Sequence, residues 1–377
     1  MRHKERFLFP LLWLATSIAT PVIAQEKSSL RLGGAVRFNY NFSDWKPDNR
    51  KRGGDFGFDV FRLNVSSAFR RFTLDAEYRF YPSASGGGML KHGWIGYTFD
   101  DRQAVEVGLT QVPFGIQPYT ANNYFFNLNY YVGLEDDADM GIKYRYRHGR
   151  WEATLAYFKN ADITDFGSNR PTSPDRYAYD LGGRNKETHQ GNLQVIYRFG
   201  NSVRQEVGVS ALAGGVYNLD TRHTGLRTAF ALHYVADYRT WNLKAQYTTY
   251  DIRAKELETT SPATVEMAAF GAPYRVASRA DIYTAALSYT LPVGKAFLDR
   301  ISFYNDFSLL HKRTKGFRDS YQNVTGCSLS AGPILAYIDY AVGKNHAWLG
   351  PEWDNAFAAG PDNGWHARFN INVGYYF

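Results

Sequence analysis

The sequence predicts an all-β chain, an antiparallel transmembrane β-barrel of 16 strands with 14 and 18 as neighbouring solutions, and a long loop after the fifth strand. Three observations predict it. Stretches of about ten residues alternate apolar and charged side chains with period two. Aromatic residues make up 16% of the 377 residues, with 28 Tyr and 26 Phe, yet the mean hydropathy is −0.41. Past residue 24 there is no run of about 20 apolar residues that would cross a bilayer as a helix. No linker-like stretch divides the chain, so residues 25–377 read as one barrel domain.

The first 24 residues read as an address. Arg2, Lys4 and Arg6 precede an apolar stretch from Phe7 to Ile18, and Val22-Ile23-Ala24 offers a small-residue cleavage site before Gln25. That apolar run is too short to span a bilayer, so residues 1–24 are expected to be a cleaved export signal. The leader holds three basic and one acidic residue, so its removal lowers the formal charge from +7 to +5. Cys327 is the single cysteine, which rules out an intrachain disulfide and is compatible with export.

The strands follow from alternation. From Phe72 to Tyr81, Phe72, Leu74, Ala76, Tyr78 and Phe80 share one face, and Thr73, Asp75, Glu77 and Arg79 the other. From Met140 to His148, Ile142, Tyr144 and Tyr146 oppose Lys143, Arg145 and Arg147; three cations on one face need water beside them. The closing segment alternates through Trp365, Ala367, Phe369, Ile371, Val373, Tyr375 and Phe377. A terminal Phe on such a strand resembles the signal by which the outer-membrane assembly machinery recognises its clients. The same rule marks Leu32–Phe42, Val60–Phe69, Lys91–Phe99, Gln103–Val112, Trp151–Lys159, Gln190–Phe199, Arg204–Ala213, Leu226–Ala236, Arg239–Thr249, Asp281–Leu291, Arg300–Lys312 and a long strand Val324–Val342. These make 15, whereas bacterial single-chain barrels have an even number, so one strand is missed or invented. A length of roughly 22 residues per strand and connection favours 16.

Connections alternate in length. Asp100-Asp101-Arg102 and Gly200-Asn201-Ser202 are tight, while Ser43–Gly54, Asn160–His189, Asp251–Ser278 and Lys344–Gly364 are long. One stands apart: Pro113–Asp139, rich in aromatics and Asn. It either folds into the lumen, presenting Tyr119, Asn122, Asn123 and Tyr124 to solute, or packs outside on neighbouring loops or a second subunit; the wide lumen of a large barrel favours the inward arrangement.

The stretch Val107-Gly108-Leu109-Thr110-Gln111-Val112-Pro113-Phe114-Gly115, with Gly141-Ile142-Lys143-Tyr144 and the closing strand, resembles the phosphate-selective porin O and P family. The resemblance implies a 16-stranded trimeric porin whose third loop enters the channel, and anion binding by arginines and lysines along the pore. Here the chain departs from the family, because 113–141 holds no Lys or Arg but does hold Glu135, Asp136, Asp137 and Asp139.

Alternation places Arg37, Arg62, Arg79, Lys143, Arg145, Arg147, Arg198, Arg204, Arg227, Lys244, Arg300, Lys312 and Arg368 inward, facing Asp75, Glu77, Glu106, Asp139, Glu152, Glu206 and Asp306. The excess of cations predicts a positive lumen that concentrates anions. Arg145 and Arg147 with Lys143 form the clearest row; its alternative role is to pair with the acidic cluster at Glu135–Asp139. Nine scattered histidines show no metal-ligand spacing, and neither GxSxG nor a phosphate-cradling loop occurs, so no cofactor, metal or catalytic group is expected. Cations that alternate along strands form no patch for nucleic acid. The expected function is passive, weakly anion-preferring diffusion of small anionic or polar solutes, such as phosphate or related oxyanions, by a homotrimer in outer-membrane lipid. A sugar- or aromatic-acid-specific channel and a non-conducting structural barrel are the alternatives.

Overall fold

A computed structural model describes residues 29–162, 167–258, 260–295 and 297–377. The expected leader lies outside the described residues. The first part of the chain forms β1 (Ser29–Ser43), helix α1 (Pro47–Arg52), β2 (Asp55–Phe69), β3 (Phe72–Phe80), β4 (Gly88–Thr98), β5 (Gln103–Gln111), β6 (Ala138–His148) and β7 (Trp151–Asn160). After these come β8 (Asp180–Leu181), β9 (Asn185–Phe199), β10 (Arg204–Asn218), β11 (Thr224–Tyr238), β12 (Trp241–Arg253), β13 (Thr264–Ala269) and β14 (Ala272–Ala277). The chain ends with β15 (Arg279–Lys295), β16 (Leu298–Lys312), β17 (Ser320–Ala331), β18 (Ile334–Lys344) and β19 (Trp365–Tyr376). Sixteen of these strands close an antiparallel barrel; β8, β13 and β14 form a separate three-stranded sheet.

The expected Val324–Val342 strand is two strands. Gly332, at φ +55°, and Pro333 turn the chain between β17 and β18, which restores the even count. A left-handed residue is what a tight hairpin needs, and Pro has no amide for a sheet ladder, so this pair was the punctuation inside an otherwise continuous run.

Period two explains the wall. On β9, Leu193 is 42% exposed, while its neighbours Asn192 and Gln194 are each 4% exposed. Apolar residues outside and polar residues inside invert the order of a water-soluble core, and the outer band is what lipid covers. Near the rim of short turns, ring pairs such as Phe72–Tyr97, Trp151–Tyr197 and Trp241–Tyr289 lie 4.6–4.9 Å apart, an aromatic girdle at the interface. Connections at this rim are short (70–71, 99–102, 149–150, 239–240), whereas those at the opposite rim include 112–137, 161–184, 254–278 and 345–364.

Closure joins β1 to β19 in register from Ala35↔Tyr376 to Ser43↔Arg368. The last residue belongs to the seam: Gly34 N–H donates to the Phe377 carbonyl at 2.9 Å and Phe377 N–H donates back at 3.1 Å. Val373, Tyr375 and Phe377 are exposed on the outer face, while Asn370 and Asn372 are buried inside. A Cβ on Gly34 would lie 2.3 Å from the Arg62 carbonyl oxygen and 2.7 Å from the Phe377 ring. Gly34→Val is therefore expected to weaken the seam by about 1–3 kcal/mol. The measurement is the temperature at which the folded band is lost on gel electrophoresis, which should fall relative to the parent.

Candidate permeation pathway

The segment 112–137 lies inside the barrel, because its hydrogen-bond partners are inward side chains of the far wall. Gly115 N–H donates to Ser210 Oγ at 3.1 Å, and Gln194 Nε2 donates to the Gly115 carbonyl at 2.7 Å. Ile116 N–H donates to Gln246 Oε1 at 2.8 Å, and Lys244 Nζ to the Thr120 carbonyl at 3.0 Å. Further along, Asp306 accepts from the Asn122 amide (2.6 Å), Asn122 Nδ2 (2.8 Å) and Asn123 Nδ2 (2.6 Å), and Asn129 Nδ2 donates to Thr284 Oγ1 at 3.1 Å. The backbone donors of an irregular segment must find acceptors once buried, and polar wall residues supply them.

The end of this segment joins a hydrophobic cluster at the loop rim. Tyr130 and Tyr131 pack with Tyr179 and Leu181 of 161–184, with Met267, Tyr274 and Val276 of 254–278, and with Phe357 of 345–364. Phe126 and Tyr130 stack with centroids 4.2 Å apart. His346 is fixed in this cluster: its Nδ1 accepts from Trp348 N–H at 3.1 Å and its Nε2 faces Gln322 Oε1 at 3.1 Å, an arrangement that fits one neutral tautomer. Burial pushes the imidazole down to about 3.

Space remains on the side the segment does not fill. A cavity of about 630 Å³ is lined by β1–β4, β18 and β19 and by the segment's Tyr119, Asn122, Asn123 and Tyr124. Five cations line it, Arg37, Arg62, Arg79, Lys91 and Arg368. Arg37 pairs with Asp59 at 3.0 Å, Arg79 with Glu77 at 2.5 Å, Lys91 with Asp136 at 3.0 Å, and Arg62 reaches Glu77 only at 3.8 Å. Among the described residues Arg368 has no carboxylate or hydrogen-bond partner on its side chain; its guanidinium lies 5.4 Å from the Phe125 ring centre. Arg62 and Arg79 likewise lie over the rings of Tyr376 (5.0 Å) and Tyr177 (4.3 Å). Burial pushes the phenol of Tyr124 up, and its hydroxyl donates to Asp59 Oδ1 at 3.2 Å.

The other sequence-derived candidates lie elsewhere. Pro113, Phe114 and Gly115 do not line the cavity; Phe114 is buried in the hydrophobic cluster and Gly115 is hydrogen-bonded to the wall. The basic row does not pair with Glu135–Asp139. Lys143 binds Glu106 at 2.8 Å and Arg147 binds Glu152 at 2.8 Å, each its direct cross-strand neighbour, and Arg198 bridges Glu152 and Glu206. Arg145, between Ala104 and Thr154 in the ladder, is not among the lining residues. Arg227 is buried with Glu187 and Asp180, and Lys244 holds the inner segment. His233 faces Glu206 at 3.3 Å.

Alternation missed Asp59 and Lys91 for one reason. Arg37 pairs with Val60 and Phe38 with Phe58, leaving Asp59 as an extra residue; Glu77 pairs with His92 and Tyr78 with Leu90, leaving Lys91 extra. A bulge puts two successive residues on one face, which no period-two count foresees. Asp136 and Tyr177 come from loops, where no periodicity applies.

No family model and no curated protein matches the chain. Solved structures do resemble it: the trimer form of OmpT, an outer membrane protein of Vibrio cholerae, has 14% identity and TM-score 0.58, covering 93% of this chain and 100% of that one. An anion-selective porin from Comamonas acidovorans has 13% identity and TM-score 0.57 with the same coverage. The outer membrane channel DcaP of Acinetobacter baumannii has 10% identity and TM-score 0.57, covering 93% and 97%. The fold is therefore that of the 16-stranded porin barrels.

Two outcomes follow from this geometry. Asp306→Ala removes three acceptor contacts from the inner segment, each worth about 1.5–3 kcal/mol when the acceptor is charged; single-channel recordings should show higher conductance and more current noise than the parent. His346 must stay neutral when folded, so its contribution is complete above its unfolded value of about 6.5 and erodes as pH falls towards 3. At pH 4 the deficit is on the order of a few kcal/mol. His346→Gln should lack that part of the acid dependence when Trp348 and Trp353 fluorescence is followed through an acid titration.

Proposed function

We propose that this chain is an outer-membrane porin that allows passive diffusion of small solutes with a weak preference for anions. It acts without catalysis, and we propose that it assembles as a homotrimer after export by its leader and recognition of Phe369, Ile371, Val373, Tyr375 and Phe377 by the assembly machinery. The observation that carries this reading is the eccentric cavity. The inner segment is pinned to one wall and leaves a cavity in which five cations face Asp55, Asp59, Glu77 and Asp136. Asp55 bridges outward to Arg52, so the cavity keeps an excess of positive charge. Arg62 and Arg368, the least neutralised of the five, are the solute contacts. The likeness to an anion-selective porin supports the same direction. Phosphate is the anion that the family resemblance proposes. A second reading, an aromatic carboxylate as preferred solute, draws on the rings of Tyr119, Tyr124, Tyr177, Tyr337 and Tyr376 beside those cations.

Reversal potentials across planar bilayers in a KCl gradient should report anion preference. The double variant Arg62→Ala/Arg368→Ala should lower the anion-to-cation permeability ratio at least two-fold, while Arg145→Ala leaves it unchanged. Block by phosphate or by benzoate then separates the two solute classes. Cation preference in the parent would contradict the proposal, and absence of channels would point to a plugged structural barrel.

A further inference from the structure

The root of the inner segment carries charge that its surroundings do not balance. Asp137 and Asp139 leave the segment as β6 begins, and Asp180 reaches them from β8; carboxylate oxygens of the three lie within 4.8 Å of one another. All three are buried, at 5%, 1% and 0% exposure, and Glu187 is buried beside Asp180 and Arg227. The two arginines in contact with this group pair with its other members, Arg176 through Nη2 alone, with its Nε and Nη1 making no hydrogen bond. Arg176 binds Asp180 at 2.6 Å and Asp162 at 2.5 Å, and Arg227 binds Glu187, Asp180 and the Gly133 carbonyl. Neither arginine is ion-paired to Asp137 or Asp139, and each of these leaves its Oδ1 without a hydrogen-bond partner although the residue is more than nine-tenths buried. Asp139 Oδ2 accepts a single bond, from Gln190 Nε2 at 3.1 Å.

Buried carboxylates with open oxygens call for a counter-charge, because an unpaired buried ion costs several kcal/mol. Four buried carboxyl groups outnumber the two buried arginines, and without a bound cation the excess must be met by protons. From this geometry we infer that Asp137, Asp139 and Asp180 bind one divalent cation of the kind that prefers oxygen ligands, calcium or magnesium. The ligands come from the inner segment's exit, from β6 and from the 161–184 loop, so the ion ties three parts of the chain together at the wall where β9 and β11 supply Glu187 and Arg227. Its role is to hold the segment's exit in place; it is independent of which solute passes.

The test uses the full mature chain, refolded in detergent free of lipopolysaccharide and stripped with EDTA. Calcium titration by isothermal calorimetry should show one ion per chain, and calcium should raise the unfolding temperature of the parent. Asp137→Asn/Asp139→Asn should lose at least ten-fold in calcium affinity, lose that thermal shift, and in EDTA be at least as stable as the parent, because the repulsion is gone. If the double variant does not refold, Asp139→Asn alone is expected to show the affinity loss. No calcium binding by a parent whose folded band is intact, or unchanged binding in the variants, would overturn the site.

Discussion

The bilayer offers no hydrogen bonds, and that constraint organises the whole chain. Every backbone amide at membrane depth must pair within the protein, which strands achieve only by closing on themselves. The seam between β1 and β19, completed by Phe377 and cleared by Gly34, is thus a condition for the other ladders. Closure also fixes the faces: with period two, apolar residues meet lipid and polar residues meet the lumen. A polar lumen is what makes an irregular inner segment tolerable, because Ser210, Gln246, Asp306 and Thr284 are ready-made partners for its amides.

From that arrangement the position of the cavity follows by subtraction. The inner segment sits against β9–β12, β15 and β16, and its aromatic end is captured by the three-stranded sheet and the 345–364 loop. What is left lies against β1–β4, β18 and β19. Its charge is set by which arginines have a carboxylate opposite. Lys143, Arg147 and Arg198 are neutralised across the ladder, whereas Arg368 is not and Arg62 is held only loosely. Counting inward cations along strands overstates a pore's charge unless the register is known, since directly opposed pairs cancel.

Strand identity, inward faces and the alternation of short and long connections were legible because each rests on a local pattern. The missing strand was legible too, at Gly332-Pro333, once turn chemistry is weighed against continuous alternation. Asp59 and Lys91 were not, since bulges shift the phase of a strand without a mark in composition. Nor was the cap: Tyr179, Tyr274 and Phe357 come from three loops far apart in sequence, and their packing is a tertiary fact. The departure of the 113–141 stretch from a basic pore loop was visible early and proved consequential, as Asp136 binds Lys91 while Asp137 and Asp139 crowd the segment's exit.

The central claim is that solutes pass on the β1–β4 side of the inner segment. Single thiols test it directly: in a Cys327→Ser background, Arg62→Cys or Arg145→Cys is treated with a bulky charged thiol reagent while current is recorded. The account predicts that the reagent blocks Arg62→Cys channels and leaves Arg145→Cys channels open. Block at position 145 with none at position 62 would place the passage on the other side of the segment and contradict it.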